Sequence, residues 1–348
     1  ENMNTRANLV ETIGKLAPDP LKKVFLLTTG SETVECAIKL CRTAGRMINP
    51  EKKVIVSFEQ AFHGRTLGSQ MIGGTPALKE WIGNLDPDMV QVPFPGDPRI
   101  QDRSFNVFIN TLKEKGVNFD NICGVISETF QGGNAAFLPV EYAKKLREFC
   151  DDHKALLVFD EIQAGFGRTG KLWGFEHYGV LPDIFTLGKG ISSGLPLSAV
   201  VGKPEIMDLY EPGTMTSTHT GNPVCSIAAI NSINFIVEKN LISNAEKMGK
   251  LFEKELNRIK EKFPVVGFVC GKGLVWALSI VKPGTTEPDG DLAFEIVKKC
   301  VEKGLLFFAP VGFGSASVKI APPLIVKKDA IIEGCSVLEE AISEVCSS

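Results

Sequence analysis

The sequence predicts an α/β protein: a large domain with a mostly parallel sheet covered by helices, plus a smaller C-terminal α+β domain. Three observations carry this. Short apolar runs alternate with helical patterns through the first two thirds of the chain. The runs are continuous rather than polar-alternating, as strands buried on both faces require. Near Gly221–Pro223 the pattern changes to long amphipathic helices separated by isolated strands. With 348 residues, 44% of them hydrophobic, the chain can bury a sizeable core in about two domains. The division is placed at 1–238 and 239–348.

Residues 24–28 read as a strand, followed by the turn Gly30-Ser31 and a helix over 32–45. Residues 54–58 form the next strand. A strand over 122–127 ends at Glu128, and 141–152 is helical. The most continuous apolar run, 155–159, ends at Asp160 and Glu161. A strand over 184–187 ends at Gly188-Lys189-Gly190, and another covers 197–201. Helices follow over 223–238 and 243–263, the second with Met248, Leu251, Phe252, Leu256, Ile259 and Phe263 on one stripe. Strands over 265–270 and 274–280, a helix over 291–303, strands over 305–308 and 317–320, and a helix over 328–345 complete the chain. The stretch 93–103, rich in Pro, Gly and charge, reads as an exposed loop. In parallel sheets the chemistry lies outside the carboxyl ends of the strands. Here those ends carry a Gly-Ser turn, carboxylates and a lysine.

Composition narrows the function. A net charge of −3 with mixed signs gives no basic face for nucleic acid. No apolar run approaches the ~18 residues of a membrane span, and no signal-peptide pattern opens the chain. Nine scattered Cys without a C-x-x-C pair read as reduced thiols of a cytoplasmic protein. Four His without an H-x-x-x-H pair offer no metal site.

Gly165-Phe166-Gly167-Arg168-Thr169-Gly170 matches G-x-G-x-x-G, but five residues separate it from its strand and no acid ends the following one. It reads as a Gly-rich loop. Leu187-Gly188-Lys189-Gly190 lacks the Gly and the Ser or Thr of a phosphate-binding P-loop. What remains is a lysine at a strand end among small residues. Asp160, after the most apolar strand, needs a cationic partner, either an Arg or a protonated ring nitrogen. Pyridoxal phosphate needs a lysine, an acid at its ring nitrogen, an aromatic face and a helix N-terminus for its phosphate. Lys189, Asp160, Phe62 and Thr29-Gly30-Ser31 supply one each.

With these residues in place, the chain resembles the class III pyridoxal-phosphate aminotransferases of fold type I. The resemblance runs from about Leu9 to the C-terminus. Its most specific stretch is Phe159-Asp160-Glu161-Ile162-Gln163-Ala164 through Gly170 and on to Lys189, supported by Phe62-His63-Gly64-Arg65, Glu128-Thr129-Phe130-Gln131-Gly132-Gly133, Ser217-Thr218-His219-Thr220 and Ala321-Pro322-Pro323-Leu324. It implies that Lys189 is the Schiff-base lysine and proton carrier and that Asp160 pairs with the ring N–H. It implies further that Gln163 contacts the ring hydroxyl, and that Ile162 packs opposite Phe62. Gly30 and Ser31 would hold the phosphate, His63 would belong to the cofactor site, and Glu128 would stand in the shell near the ring. Thr218 would reach the phosphate across a homodimer interface. The partners implied are an amine donor and a 2-oxo acid acceptor. Racemase, aminomutase or decarboxylase chemistry on the same scaffold is the alternative, and a silent cofactor-binding protein the second. Three departures stand out. Family members start well upstream, so the chain reads as N-terminally short. Lys319 stands where many members carry a substrate-gripping Arg. Gly133 stands where members acting on ω-amino acids often carry Glu. Lys319 is therefore expected to bind substrate carboxylate by charge alone, without a bidentate clamp.

Overall fold

The apolar runs in the middle of the large sheet become strands whose residues are almost all buried. The computed structural model describes residues 2–347. Its strands are β1 (Lys23–Leu27), β2 (Val54–Phe58), β3 (Met89–Val92), β4 (Ile122–Glu128), β5 (Phe130–Gln131), β6 (Ala136–Phe137), β7 (Leu156–Asp160), β8 (Ile184–Leu187), β9 (Ser198–Gly202), β10 (Val266–Lys272), β11 (Val275–Ile280) and β12 (Ser317–Ile320). The helices are α1 (Asn2–Leu16), α2 (Gly30–Ile48), α3 (Leu67–Ile72), α4 (Phe105–Glu114), α5 (Val140–Asp152), α6 (Pro204–Met207), α7 (Pro223–Glu238), α8 (Leu241–Lys262), α9 (Gly290–Glu302) and α10 (Lys328–Ser347).

Seven strands form the large sheet in the order β1-β9-β8-β7-β4-β2-β3. Neighbours from β8 to β3 pair parallel; β9 runs antiparallel to both β8 and β1. Alternate residues of one strand serve opposite faces. Val158 joins Val34, Ile38 and Cys41 of α2 in one core, while Leu157 and Phe159 join Tyr142 and Leu146 of α5 in the other. Both faces are covered, which is why these strands carry no polar alternation. A second sheet, β10-β11-β12, is antiparallel and shares a separate core with α8, α9 and α10, including the predicted stripe Met248, Phe252, Leu256 and Ile259. No helix among the described residues is long and apolar enough to cross a membrane. All nine cysteines are free thiols.

Sequence reading leaves α1, α3, β3, α4, β5, β6 and α6 unassigned. Predicted strand 305–308 does not form: Leu306 and Phe308 face outward at 81% and 55% exposure, and no neighbouring strand takes the ladder. Its apolar alternation reflects Leu305 and Phe307 packing on the C-terminal core from an irregular segment. The stretch 93–103 is exposed only at its end. Phe94 and Asp97 are buried, and Arg99 pairs with Asp97 and lies over the Phe313 ring at 3.8 Å.

The turn after β2 sets the position of Phe62 and His63, and Gly74 holds that turn through Gln60 N–H to Gly74 O at 3.1 Å and Gly74 N–H to Ala61 O at 2.8 Å. A Cβ at Gly74 would lie 2.2 Å from the Phe58 carbonyl oxygen and 2.4 Å from the Gln60 nitrogen. Backbone atoms cannot yield as a side-chain tip can. Gly74→Ala is therefore expected to cost about 1–3 kcal/mol, the usual range for overpacking. An unchanged urea midpoint in Gly74→Ala would show that the turn is not fixed in this way.

Candidate active site

Every element of the site follows from a strand ending at the same edge of the large sheet. After β1 the chain enters α2 through a capping box. Thr29 Oγ1 accepts from Glu32 N–H at 3.3 Å, and Glu32 Oε2 accepts from the Thr28 and Thr29 N–H groups at 2.9 and 2.8 Å. Gly30 and Ser31 then lie in the first turn, where N–H groups have no intrahelical acceptor and the helix dipole favours an anion. Arg65 N–H donates to Ser31 Oγ at 3.1 Å, joining this turn to the one after β2.

Asp160 and Glu161 follow β7, and consecutive residues point apart. Glu161 turns inward: it is fully buried, accepts from Gly174 N–H at 2.6 Å, Phe175 N–H at 3.0 Å and the Thr129 hydroxyl, and burial pushes its carboxyl up to about 7. Asp160 faces the cavity. Its Oδ2 meets His63 Nδ1 at 2.8 Å, and its Oδ1 accepts from Ile162 N–H at 3.0 Å and Thr186 Oγ1 at 3.3 Å. Three of about four carboxylate lone-pair positions are thus used, leaving one. Burial opposes a charged His63, but the bond and charge of Asp160, with Glu128, outweigh it and raise the imidazole pKa. His63 Nε2 is buried without a hydrogen-bond partner.

Glu128 ends β4. It accepts from Phe62 N–H at 2.9 Å and Gly132 N–H at 3.0 Å, so one carboxylate holds the backbone of two cavity walls. Burial raises its pKa, with His63 opposing. Lys189 follows β8 at φ +36°, in the left-handed region. It opens into the cavity, where enclosure lowers its pKa while Asp160 and Glu128 oppose.

Gly30, Ser31, Phe62, His63, Glu128, Asp160, Ile162, Gln163 and Lys189, all predicted, line one cavity of about 310 Å³. That is the size range of small-ligand pockets. An anion-binding helix end, a lysine and a carboxylate with one lone-pair position to spare surround it. Gly30 keeps it open on one side, since a Cβ there would meet Ile162 Cδ1 at 3.0 Å. This donor set suits a flat cofactor bearing a phosphate, an aldehyde and a protonated ring nitrogen, and pyridoxal phosphate fits it. A second cavity of about 530 Å³ meets the first at Phe130, Gln163 and Lys189, and adds Arg168, Phe235, Lys319 and Leu324.

Two predicted residues lie outside the first cavity. Thr218 is exposed and lines neither cavity of its own chain. Lys319 is buried, and its Nζ donates to Gly132 O at 2.5 Å and Gln163 Oε1 at 2.6 Å. Two of its three N–H groups are therefore already engaged within the protein. Gly133 packs on Gly312: a Cβ at Gly133 would meet Gly312 Cα at 2.9 Å, so no glutamate fits without backbone movement. Sequence reading missed the pairing of His63 with Asp160, having weighed an Arg or a ring nitrogen for that place. It also missed Arg65, which lines the first cavity with its guanidinium over the Phe62 ring at 5.6 Å. The signal was present in the unbroken run Phe62-His63-Gly64-Arg65, which one tight turn folds around the cavity. Arg168, within the Gly-rich loop, donates to the Leu274 and Pro322 carbonyls and joins the loop to the C-terminal sheet.

Comparison with known proteins agrees with this geometry. The family model for aminotransferase class-III matches residues 2–342. The leucine/methionine racemase of Thermococcus litoralis is 34% identical over 348 residues, spanning 97% of this chain and 76% of that protein. The acetylornithine aminotransferase of Caldanaerobacter subterraneus subsp. tengcongensis is 35% identical over 325 residues, spanning 93% of this chain and 76% of that protein. A crystal structure of an amine transaminase from an uncultivated Pseudomonas species, in its PLP-bound form, matches with a TM-score of 0.90 and 28% identity over 98% of this chain and 81% of the other. The chain belongs to the class III aminotransferase family, with the α/β architecture of fold type I. It is a pyridoxal-phosphate-dependent enzyme of the aminotransferase class.

Lys319 also sets a pH dependence. Burial pushes its ammonium down to about 8 from an ordinary 10.5, Glu128 opposing and Lys189 and Arg168 adding to the fall. Below about 8 both folded and unfolded chains hold the proton. Between about 8 and 10.5 the unfolded chain binds more protons, so this group's contribution to stability rises with pH. The stability of wild type relative to Lys319→Met should therefore improve from pH 7.5 to pH 10. Urea denaturation of both proteins measures it, and a difference that stays constant would mean Lys319 titrates normally.

Proposed function

We propose that Lys189 is the residue that bonds to the cofactor and that it also moves the proton at the substrate's α-carbon. The observation that carries this is the meeting of Lys189, Asp160 and the first turn of α2 around one cavity. Bound there, pyridoxal phosphate supplies a carbonyl that takes up the amine and a ring that accepts the electron pair released at the α-carbon. Asp160, as carboxylate, holds the ring-nitrogen proton, and His63 holds Asp160 in place from behind. Phe62 and Ile162, which line the cavity, would confine the two faces of the ring. The N–H groups and hydroxyl at Gly30 and Ser31 bind the phosphate. Gln163 would meet the ring hydroxyl, and Glu128 fixes the walls carrying Phe62 and Gly132. Lys189 has its pKa lowered by enclosure, which would suit it to act as base and then acid at the substrate's α-carbon. Arg65, at the rim, is a guanidinium available for substrate carboxylate.

The same reading makes the enzyme a cytoplasmic homodimer whose Thr218 reaches the phosphate of the other subunit's site. Its support is that Thr218 is exposed and does not line the cavity of its own chain, and that the nine thiols are free. It also keeps the division of the chain into 1–238 and 239–348, supported by the separate cores of the two sheets. Amine donors and 2-oxo acids are the small-molecule partners, with no nucleic acid or membrane involved. A second reading, amino-acid racemisation, is favoured by the 34% identity to a racemase. It shares the proton removal by Lys189 and differs in where the proton returns. Incubation with one L-amino acid and no oxo acid, followed by chiral chromatography, separates the two: D-isomer formation identifies a racemase.

Borohydride reduction and peptide mapping should place the pyridoxyl group on Lys189, and label on another lysine would refute its role. Asp160→Asn keeps size and removes the charge. It should lose roughly a thousandfold or more in turnover, about 4 kcal/mol at ~1.4 kcal/mol per decade, with cofactor still retained. Near wild-type turnover in that variant would contradict an electronic role. Mixed dimers of Lys189→Ala and Thr218→Ala chains should recover activity at one of their two sites, and a protein that sediments as a monomer with full cofactor would exclude a shared site.

A further inference from the structure

Lys319 stands on β12 opposite Ala277 of β11, so it approaches the cofactor cavity from the C-terminal sheet. Its ammonium lies 5.7 Å from the Phe130 ring centroid and donates to Gln163 Oε1 and Gly132 O. An ammonium has three donors and no acceptor. The amide oxygen of Gln163 must therefore face it, because a flipped amide would set NH2 against NH3⁺. The amide also packs directly on the bare Cα of Gly132, where a Cβ would lie 2.5 Å from Gln163 Nε2 and 3.1 Å from Cδ. Gly132 is fixed in turn, its N–H donating to Glu128, whose other oxygen accepts from Phe62 N–H. One cation thus sets the direction of an amide that lines the cofactor cavity and ties down the backbone beside it.

We propose that Lys319 is a positioning residue for the transamination: its ammonium holds Gln163 so that the amide presents its NH2 group, and not its oxygen, to the cofactor. This rests on reading the first cavity as the cofactor site with Gln163 at the ring hydroxyl. It replaces the expected carboxylate grip with a role exerted through Gln163. A donor facing the ring oxygen favours that oxygen's ionised form. Loss of the lock lets the amide turn, and the donor becomes an acceptor in part of the molecules.

The test is the absorption spectrum of the cofactor-loaded protein titrated with pH in the absence of substrate. Lys319→Met should raise the titration midpoint by roughly half to one pH unit, the size of one hydrogen bond. Lys319→Arg should keep the wild-type midpoint, because a guanidinium likewise only donates. In a Gln163→Ala background the Lys319→Met shift should vanish. An equal shift in both backgrounds would mean that the charge acts directly on the cavity, which overturns the proposal. So would an unmoved spectrum together with a KM that rises for pyruvate and not for a carboxylate-free aldehyde, since that marks a substrate clamp. If Gln163→Ala alone leaves the midpoint where it was while cofactor stays on Lys189, the placement of Gln163 at the ring fails, and the proposal with it. If cofactor is absent from Lys189, the reading of the whole site fails.

Discussion

A carboxylate at the end of a fully buried strand must be compensated where it stands, and the site is organised around that requirement. Asp160 closes β7 at the centre of the large sheet and is 5% exposed. Leaving such a charge unpaired would cost several kcal/mol. The structure meets it with an imidazole, a backbone N–H and a hydroxyl, all from strand ends or the turns that follow them. His63 is held there because the turn after β2 is held, and that turn is held by Glu128 from β4 and by the backbone of Gly74. The pairing of one carboxylate thus fixes the relative positions of three strands' ends. The lysine from β8 and the helix end from β1 then fall around the same space by sheet order alone.

The second constraint is charge balance among groups that cannot all ionise freely. Asp160 and Glu128 are both buried on the cavity wall at the ends of the neighbouring strands β7 and β4, with His63 reaching Asp160 from the turn after β2 and with Lys189 and Lys319 beyond. Each cation is pushed down by burial and drawn up by a neighbouring carboxylate, and Glu128 is pushed up by burial and drawn down by His63. The balance differs by position. His63 gains more from Asp160 than it loses to burial, whereas Lys319, with protein carbonyl oxygens as its partners, does not. This separates a histidine that supports a charge from a lysine that can be neutralised just above neutral pH, within one connected set of residues.

The strands of the large sheet were legible because they are buried on both faces, so their composition is uniform and their ends are marked. Residues 54–58 and 184–187 were read with the observed bounds, and Asp160, Lys189 and Gly30-Ser31 were found from their places at strand ends. What escaped was set by tertiary context. β3 alternates buried and half-buried residues at the sheet edge and is four residues long, too short to carry a periodic signal. Segment 305–308 carries a strand's alternation with no partner strand, and a strand exists only where a ladder forms. The inward turn of Glu161 beside the outward turn of Asp160 was not readable either, since adjacent carboxylates look alike until the sheet assigns their faces.

The same distinction explains Lys319. Its residue type told of a point charge in place of a fork, and that much followed from sequence. Where the charge is spent depends on what lies within reach of β12. There the cavity wall offers the Gly132 carbonyl and the Gln163 amide, at 2.5 and 2.6 Å from the ammonium. A planar guanidinium in this place could bridge two acceptors and still present an edge outward. A compact ammonium with two bonds made has one N–H left. Gly133, packed on Gly312, leaves no room for a carboxylate that would draw the cation away. The two departures from the family pattern are therefore physically linked: without an acid at Gly133, the acceptors the cation meets are the Gly132 carbonyl and the Gln163 amide, and the lysine is turned toward Gln163.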